Sequence, residues 1–178
     1  SSERQAFPAV LLDMYSDKPL SETVYRQGDD FFELCPFFDR HFYTIKQELA
    51  GPFANMPGFR GGLRERVFPS AGQLYQLNKV PLFKYHSSVV LWAGCHWAGN
   101  LRIARQSGCI AHFKYTSTFH ETAQKEVERG IPHENAVEYK QYLKQAEANP
   151  RMSLYDPDFS VRFEDSKQLL KLGVIRAE

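Results

Sequence analysis

At 178 residues, 43% of them apolar, the chain suits one domain able to bury about 70% of its unfolded surface without metals or disulfides. Its 22 basic against 21 acidic side chains argue against a dedicated nucleic-acid binder, because such proteins draw much of their affinity from phosphate neutralisation. Three cysteines without framework spacing suit a reducing compartment, and no apolar run approaches the roughly 20 residues that span a bilayer.

The first residues, Ser1-Ser2-Glu3-Arg4-Gln5, do not form a signal-peptide pattern, and a strand-like run follows almost at once. Ala6–Met14 is continuously apolar up to Asp13, which predicts a strand buried on both faces. Tyr15–Gly28 is polar and turn-rich, with Asp17-Lys18-Pro19 as a breaker. Asp29–Phe38 mixes acids with phenylalanines and reads as loop or short helix, and His41–Gln47 reads as a strand. The glycines and prolines of Ala50–Gly62 predict a loop, and the alternation of Leu63–Phe68 predicts a strand emerging from Gly61-Gly62. Val80–Tyr85, Ser88–Ala93 and Cys109–Tyr115 are further strand candidates.

Beyond that point the apolar period changes. Thr118-x-x-Glu121 is a capping-box signature for a helix to Arg129, closed by Gly130 and Pro132. Glu134–Ala148 predicts a second helix ended by Asn149-Pro150, and Glu164–Leu172 a third that stops at Gly173. The expected fold is one α/β domain with a mixed sheet, flanking helices and a helical C-terminal end. Residues 1–115 supply mainly strands and loops, and 116–178 the helical end.

His96 and His112 each follow an apolar run, and His112 leads through Lys114, Tyr115 and Thr116 to a helix signal. A histidine where a strand stops can bind a metal, move a proton, or simply hydrogen-bond a strand-end carbonyl. Cys95, His96, Cys109 and His112 include the atom types of a zinc site, but adjacent Cys95-His96 is poor geometry for joint ligation. Pro57 to Arg64 is either a phosphate-approach loop, with Arg60, Arg64 and Arg66 to neutralise an anion, or a plain glycine turn. Lys79, placed before a strand, is either a diphosphate contact or solvated. Asp156-Pro157-Asp158 has the form of a metal-binding Asp-x-Asp but sits between two C-terminal helices, which speaks against that role.

Seven motifs occur in one order: Leu11-Leu12-Asp13-Met14-Tyr15-Ser16-Asp17, Gly61 to Phe68, Asn78-Lys79-Val80-Pro81-Leu82, Gly94-Cys95-His96, Ala111-His112-Phe113-Lys114-Tyr115, Glu126-Val127-Glu128-Arg129-Gly130 and Glu138-Tyr139-x-x-Tyr142. Together, over about residues 8–175, they resemble bacterial family 2-like glycosyltransferases of the GT-A type, the group associated with surface polysaccharide assembly. The resemblance implies the acceptor-side portion of such an enzyme, with the nucleotide-binding half and its Asp-x-Asp expected before residue 1. It implies a nucleotide-sugar donor, a glycan or lipid-linked acceptor, a divalent cation (Mn²⁺ or Mg²⁺), no nucleic acid, and a cytoplasmic or membrane-peripheral location. It assigns His112 to the metal and donor phosphates, His96 to catalysis, and Gly61, Gly62, Arg64, Lys79 and Lys114 to substrate binding. Asp39, with Asp13 and Asp17, is a candidate catalytic base. A non-catalytic carbohydrate-binding or scaffolding module is the alternative, motivated by the abundant aromatics.

Overall fold

The computed structural model describes residues 6–46, 51–54, 56–68, 75–130 and 133–177. At its centre is β1 (Ala6–Asp13), whose apolar side chains are nearly all buried, as a strand covered on both faces requires. β1 lies between β5 (Asn78–Phe83), which runs antiparallel to it, and β8 (Gly108–His112), which runs parallel. The expected mixed sheet is therefore present. Pro8 sits inside this central strand, where its missing N–H would break a ladder. The register against β5 shifts between Phe7 and Ala9, so the proline falls at a bulge.

Three short antiparallel ladders surround the sheet. β3 (Phe42–Lys46) pairs with β4 (Pro57–Gly61), and β2 (Phe37–Asp39) with β9 (Ser160–Arg162). β6 (Val90–Trp92) pairs with β7 (Trp97–Gly99). The helices among the described residues are α1 (Phe31–Leu34), α2 (Gly62–Val67), α3 (Phe119–Arg129), α4 (His133–Ala148) and α5 (Ser166–Lys171). None is long and apolar enough to cross a membrane.

Two expectations are corrected. Residues 57–61 are not loop but strand, because the β3 backbone supplies a full antiparallel register from Phe42↔Gly61 to Lys46↔Pro57. Residues 63–67 are not strand but helix, with Phe68 as its C-cap. Over six residues the alternation also satisfies the i, i+4 rule, and Leu63 and Phe68 are both buried against Tyr115, Phe119 and Tyr142. Gly61 and Gly62 permit the strand-to-helix reversal with φ of 90° and 68°, a region costly to residues with a Cβ.

The capping box does not close, since Thr118 makes no side-chain cap bond and Glu121 pairs with Lys125 instead. Gly130 does end α3 in the left-handed conformation, and Asp165 caps α5 by accepting from the Gln168 N–H at 2.9 Å. The Pro132 stop, Gln47, and the loop positions Ala50 and Asn55 lie outside the described residues.

Three apolar clusters result. One packs β1 against Phe38, Phe59, Leu77, Leu169 and Val174. A second joins α2, α3 and α4 through Leu63, Phe68, Tyr115, Phe119 and Tyr142. The third lies under β5 to β7 around Val80, Trp97, Ala98 and Leu101. The first and second meet at the C-terminal end of β1.

Candidate functional site

Because β1 and β8 are parallel neighbours, their last residues, Asp13 and His112, fall side by side in register. Carboxyl ends of parallel strands are where open α/β sheets present ligand-binding groups. Asp13 is only 3% exposed, and a lone carboxylate there would be very costly. Arg64, the third residue of α2, answers it with a two-pronged contact: Nε to Oδ2 at 2.7 Å and Nη2 to Oδ1 at 3.0 Å. Burial acts to raise the Asp13 carboxyl, but Arg64, His112 and Lys114 hold it well below the usual carboxylate range.

His112 Nδ1 lies 2.8 Å from Asp13 Oδ1 and 3.1 Å from Arg64 Nη2. A carboxylate only accepts, so the proton belongs on Nδ1 and points at Asp13, with Arg64 donating to the same oxygen. This assignment comes from the hydrogen-bond network. In the neutral ring it leaves the lone pair on Nε2, which makes no hydrogen bond among the described residues on a side chain that is 35% exposed.

The guanidinium's remaining nitrogen, Nη1, reaches Glu138 Oε1 on α4 at 3.2 Å. Lys114, two residues beyond His112, donates from Nζ to the Tyr142 hydroxyl at 2.8 Å and to the same Glu138 oxygen at 3.3 Å. Tyr142, one helical turn after Glu138, donates its hydroxyl to Oε1 as well. Lys114 Nζ also stands 4.3 Å from the Tyr142 ring centroid. Burial and the nearby Arg64 charge pull the Lys114 amine down to about 8, against the opposing pull of Glu138 and Asp13. Burial would raise Glu138, yet Lys114 and Arg64 hold it below its ordinary value. Every one of these donors uses Oε1. Oε2 has no partner among the described residues, and the Glu138 side chain is 28% exposed.

Lys79 and His96 border this cluster. The turn joining β6 to β7 places Ala93, Gly94 and Cys95 in succession at φ of 52°, 60° and 63°. Two of those residues carry a Cβ, and such strain costs roughly 1–3 kcal/mol each. The turn is pinned by Val80 N–H to Cys95 O at 2.9 Å and by Lys79 Nζ to Gly94 O at 2.8 Å. His96 Nδ1 is buried without a hydrogen-bond partner among the described residues. Burial and the neighbouring Lys79 push its imidazolium down to about 4, so at neutral pH it is uncharged.

The structure thus brings together Arg64, His112, Lys114, Asp13 and the flanking Lys79 and His96. Gly61 and Gly62 form the strand-to-helix reversal that precedes Arg64. Both are buried, with the Gly61 N–H donating to Glu65 Oε2 at 2.8 Å and the Gly62 N–H to His41 O at 2.8 Å. The pair aims Arg64. Asp39 belongs to a neighbouring network: it is 2% exposed, Arg66 grips it at 2.7 and 2.8 Å, and Tyr15 donates to Oδ1. Both its oxygens are thereby used in joining β2 to α2 and to Tyr15, just past the end of β1. Asp17 sits in an exposed turn past the strand.

No group of three or more His, Cys, Asp or Glu side chains positioned for a metal occurs among the described residues. His112 Nε2 suits a single ligand position of a divalent cation. Its Nδ1 is held by a carboxylate in the way that orients metal-binding imidazoles. Glu138 and Tyr142 complete the site without having been assigned a role from sequence. Their i, i+4 spacing on a helix was the available signal, although the buried core position of Tyr142 obscures it. Neither the family models, nor the curated proteins, nor the solved structures with which the chain was compared gave a match.

Proposed function

We propose that the chain is the acceptor-side part of a glycosyltransferase that moves a sugar from a nucleotide-sugar donor to a hydroxyl of a glycan or lipid-linked acceptor. The observation that supports this most is the convergence of Asp13, His112, Arg64, Lys114 and Glu138 at the ends of β1 and β8. Sugar transfer needs two things at one place: an acceptor for the proton of the attacking hydroxyl and positive charge for the departing diphosphate.

Glu138 Oε2 answers the first requirement. It is ionised at neutral pH, partly exposed and unpartnered among the described residues. It receives the hydrogen bond of the acceptor hydroxyl, then its proton as the new bond forms. Lys79 answers the second requirement, and the uncharged His96 beside it adds a polar edge without competing charge. His112 supplies one imidazole ligand for a divalent cation, whose chemistry would be to neutralise the leaving diphosphate. Asp13 keeps that imidazole oriented.

The test is donor binding and sugar transfer by the full gene product that carries these residues. Calorimetry should show Mn²⁺- or Mg²⁺-dependent binding of one nucleoside diphosphate, weakened in His112→Ala. Glu138→Gln should lower kcat by about 10²–10⁴-fold with less effect on donor binding. Absence of any sugar-nucleotide binding or turnover would overturn the reading.

A further inference from the structure

Toward the opposite end of β1 from Asp13 lies a cleft of about 520 Å³, within the size range of small-molecule sites. Pro8, Pro57, Phe59 and Ile103 give it apolar walls, and Arg105 and Ser107 add polar groups. No Asp or Glu among the described residues lines it. Pro8 and Asp13 lie in the same strand, and roughly 16 Å of extended chain separates them. The cleft is thus distinct from the cluster around His112.

The segment that carries the two polar groups is held on both sides. The Ala104 N–H donates to Ala6 O at 2.8 Å, and the Ser107 N–H donates to Arg176 O at 3.0 Å. In return the Arg176 N–H donates to Ser107 Oγ at 3.1 Å. These bonds fix the backbone before and after Arg105, so its side chain starts from a set position. Ser107 is only 6% exposed, and its hydroxyl keeps a proton that goes to no described acceptor. Arg105 is exposed and makes no hydrogen bond, ion pair or ring contact among the described residues. Its planar set of N–H donors therefore stands available beside an apolar wall without an acid.

The donor set indicates the ligand. One available guanidinium and one hydroxyl match a group with two coplanar oxygens and a single negative charge, which describes a carboxylate. A phosphate monoester carries close to two charges on three oxygens and calls for more donors than these. Proline and phenylalanine rings form most of the remaining surface, so the body of the ligand is apolar.

We propose that this cleft binds a small organic monocarboxylate with an apolar body. Its carboxylate meets Arg105 and the Ser107 hydroxyl, and its body lies against Pro8, Pro57, Phe59 and Ile103. The proposal does not depend on the reaction suggested above.

The test is titration of the chain with hydrocinnamate, hydrocinnamyl alcohol and phenyl phosphate, followed through backbone amide shifts by NMR. Hydrocinnamate should bind with a Kd of about 0.1–1 mM, as suits a ligand of its size. It should shift residues 103–107 most and bind at least about five-fold tighter than either analogue. Because Arg105 is exposed, Arg105→Met should keep the circular dichroism spectrum. That variant should bind hydrocinnamate at least about five-fold more weakly and the alcohol as before. Ala104→Phe, which fills the cleft, should weaken both ligands. No saturable shift below about 10 mM, equal affinity for the alcohol, tighter binding of phenyl phosphate, or unchanged binding by Arg105→Met would overturn the proposal. So would hydrocinnamate binding that Lys79→Met abolishes, because the anion would then sit at the candidate site.

Discussion

Replacing Arg64 by Met removes the one guanidinium that spans Asp13, His112 and Glu138 while roughly keeping its volume. The side chain is 5% exposed and its partner Asp13 3%, so water cannot substitute for the lost contacts. Removing one member of a buried ion pair costs about 3–5 kcal/mol, because the other charge stays buried and uncompensated. For a domain of this size each kcal/mol moves the melting temperature by about 2–4 °C, so Arg64→Met should melt about 6–20 °C lower.

The deficit should also depend on pH. In the native protein the Asp13 pKa lies below its unfolded value, so its contribution is present above about pH 4 and lost as pH falls. Without Arg64 the burial effect is the dominant one, and the folded pKa rises above the unfolded one. The variant then gains stability as pH falls through that raised value, while the native protein does not. Urea unfolding of both proteins from pH 8 to pH 5 should show the gap narrowing. Asp13→Asn/Arg64→Met should be less destabilised than the two single changes added together. A deficit under about 1 kcal/mol, or one that stays constant with pH, would refute the assignment of Asp13 and Arg64 as a buried pair.

Three further outcomes are expected. Asp39→Asn should lower the melting temperature by stranding Arg66 and Tyr15, while kcat per folded molecule stays within about three-fold; a large kcat loss at intact stability would return Asp39 to the reacting centre. The Lys114 pKa of about 8 means that the unfolded chain binds more protons than the folded one between pH 8 and the ordinary lysine value. Stability should therefore rise with pH across that window, by about 1–3 kcal/mol more than in Lys114→Met, as read by urea unfolding at each pH. Gly99→Ala would set a Cβ 2.7 Å from Pro52 Cβ and 3.0 Å from Pro52 backbone atoms, so it should destabilise by about 1–3 kcal/mol in the same assay.

What the sequence revealed of the fold follows from where apolar periodicity is decisive. β1 reads as a buried strand because it is the central one, and α3, α4 and α5 read as helices because they are long enough or well enough punctuated. The three-residue strands β7 and β9 give no such signal, since their pairing depends on backbone partners 5 to 125 residues away in sequence, which local pattern does not encode. Residues 62–67 show the opposite difficulty. Six residues of alternation fit strand and helix alike, and only burial of Leu63 and Phe68 against the helical cluster decides the matter.

The site divides in the same way. His112, Arg64 and Lys114 stand out by residue type and by their position beside a strand end or a glycine turn. Asp39 shares the chemistry of a catalytic carboxylate, and nothing beside it in sequence announces its partners Arg66 and Tyr15. Glu138 carries no local mark of its partners, because the groups that converge on it come from the segment just past β8, from α2 and from one turn farther along α4.

Those separations bear on how the protein assembles. Asp13 and Arg64 are 51 positions apart, Arg64 and Glu138 74, and Asp13 and His112 99. None of these contacts can form by local winding, and those of His112 need the parallel pairing of β1 with β8, which closes a long loop. The complete cluster therefore draws on segments spread over most of the chain. Apart from one another, Asp13 and Arg64 are soluble side chains at little cost; only in the assembled cluster is either one expensive to leave alone.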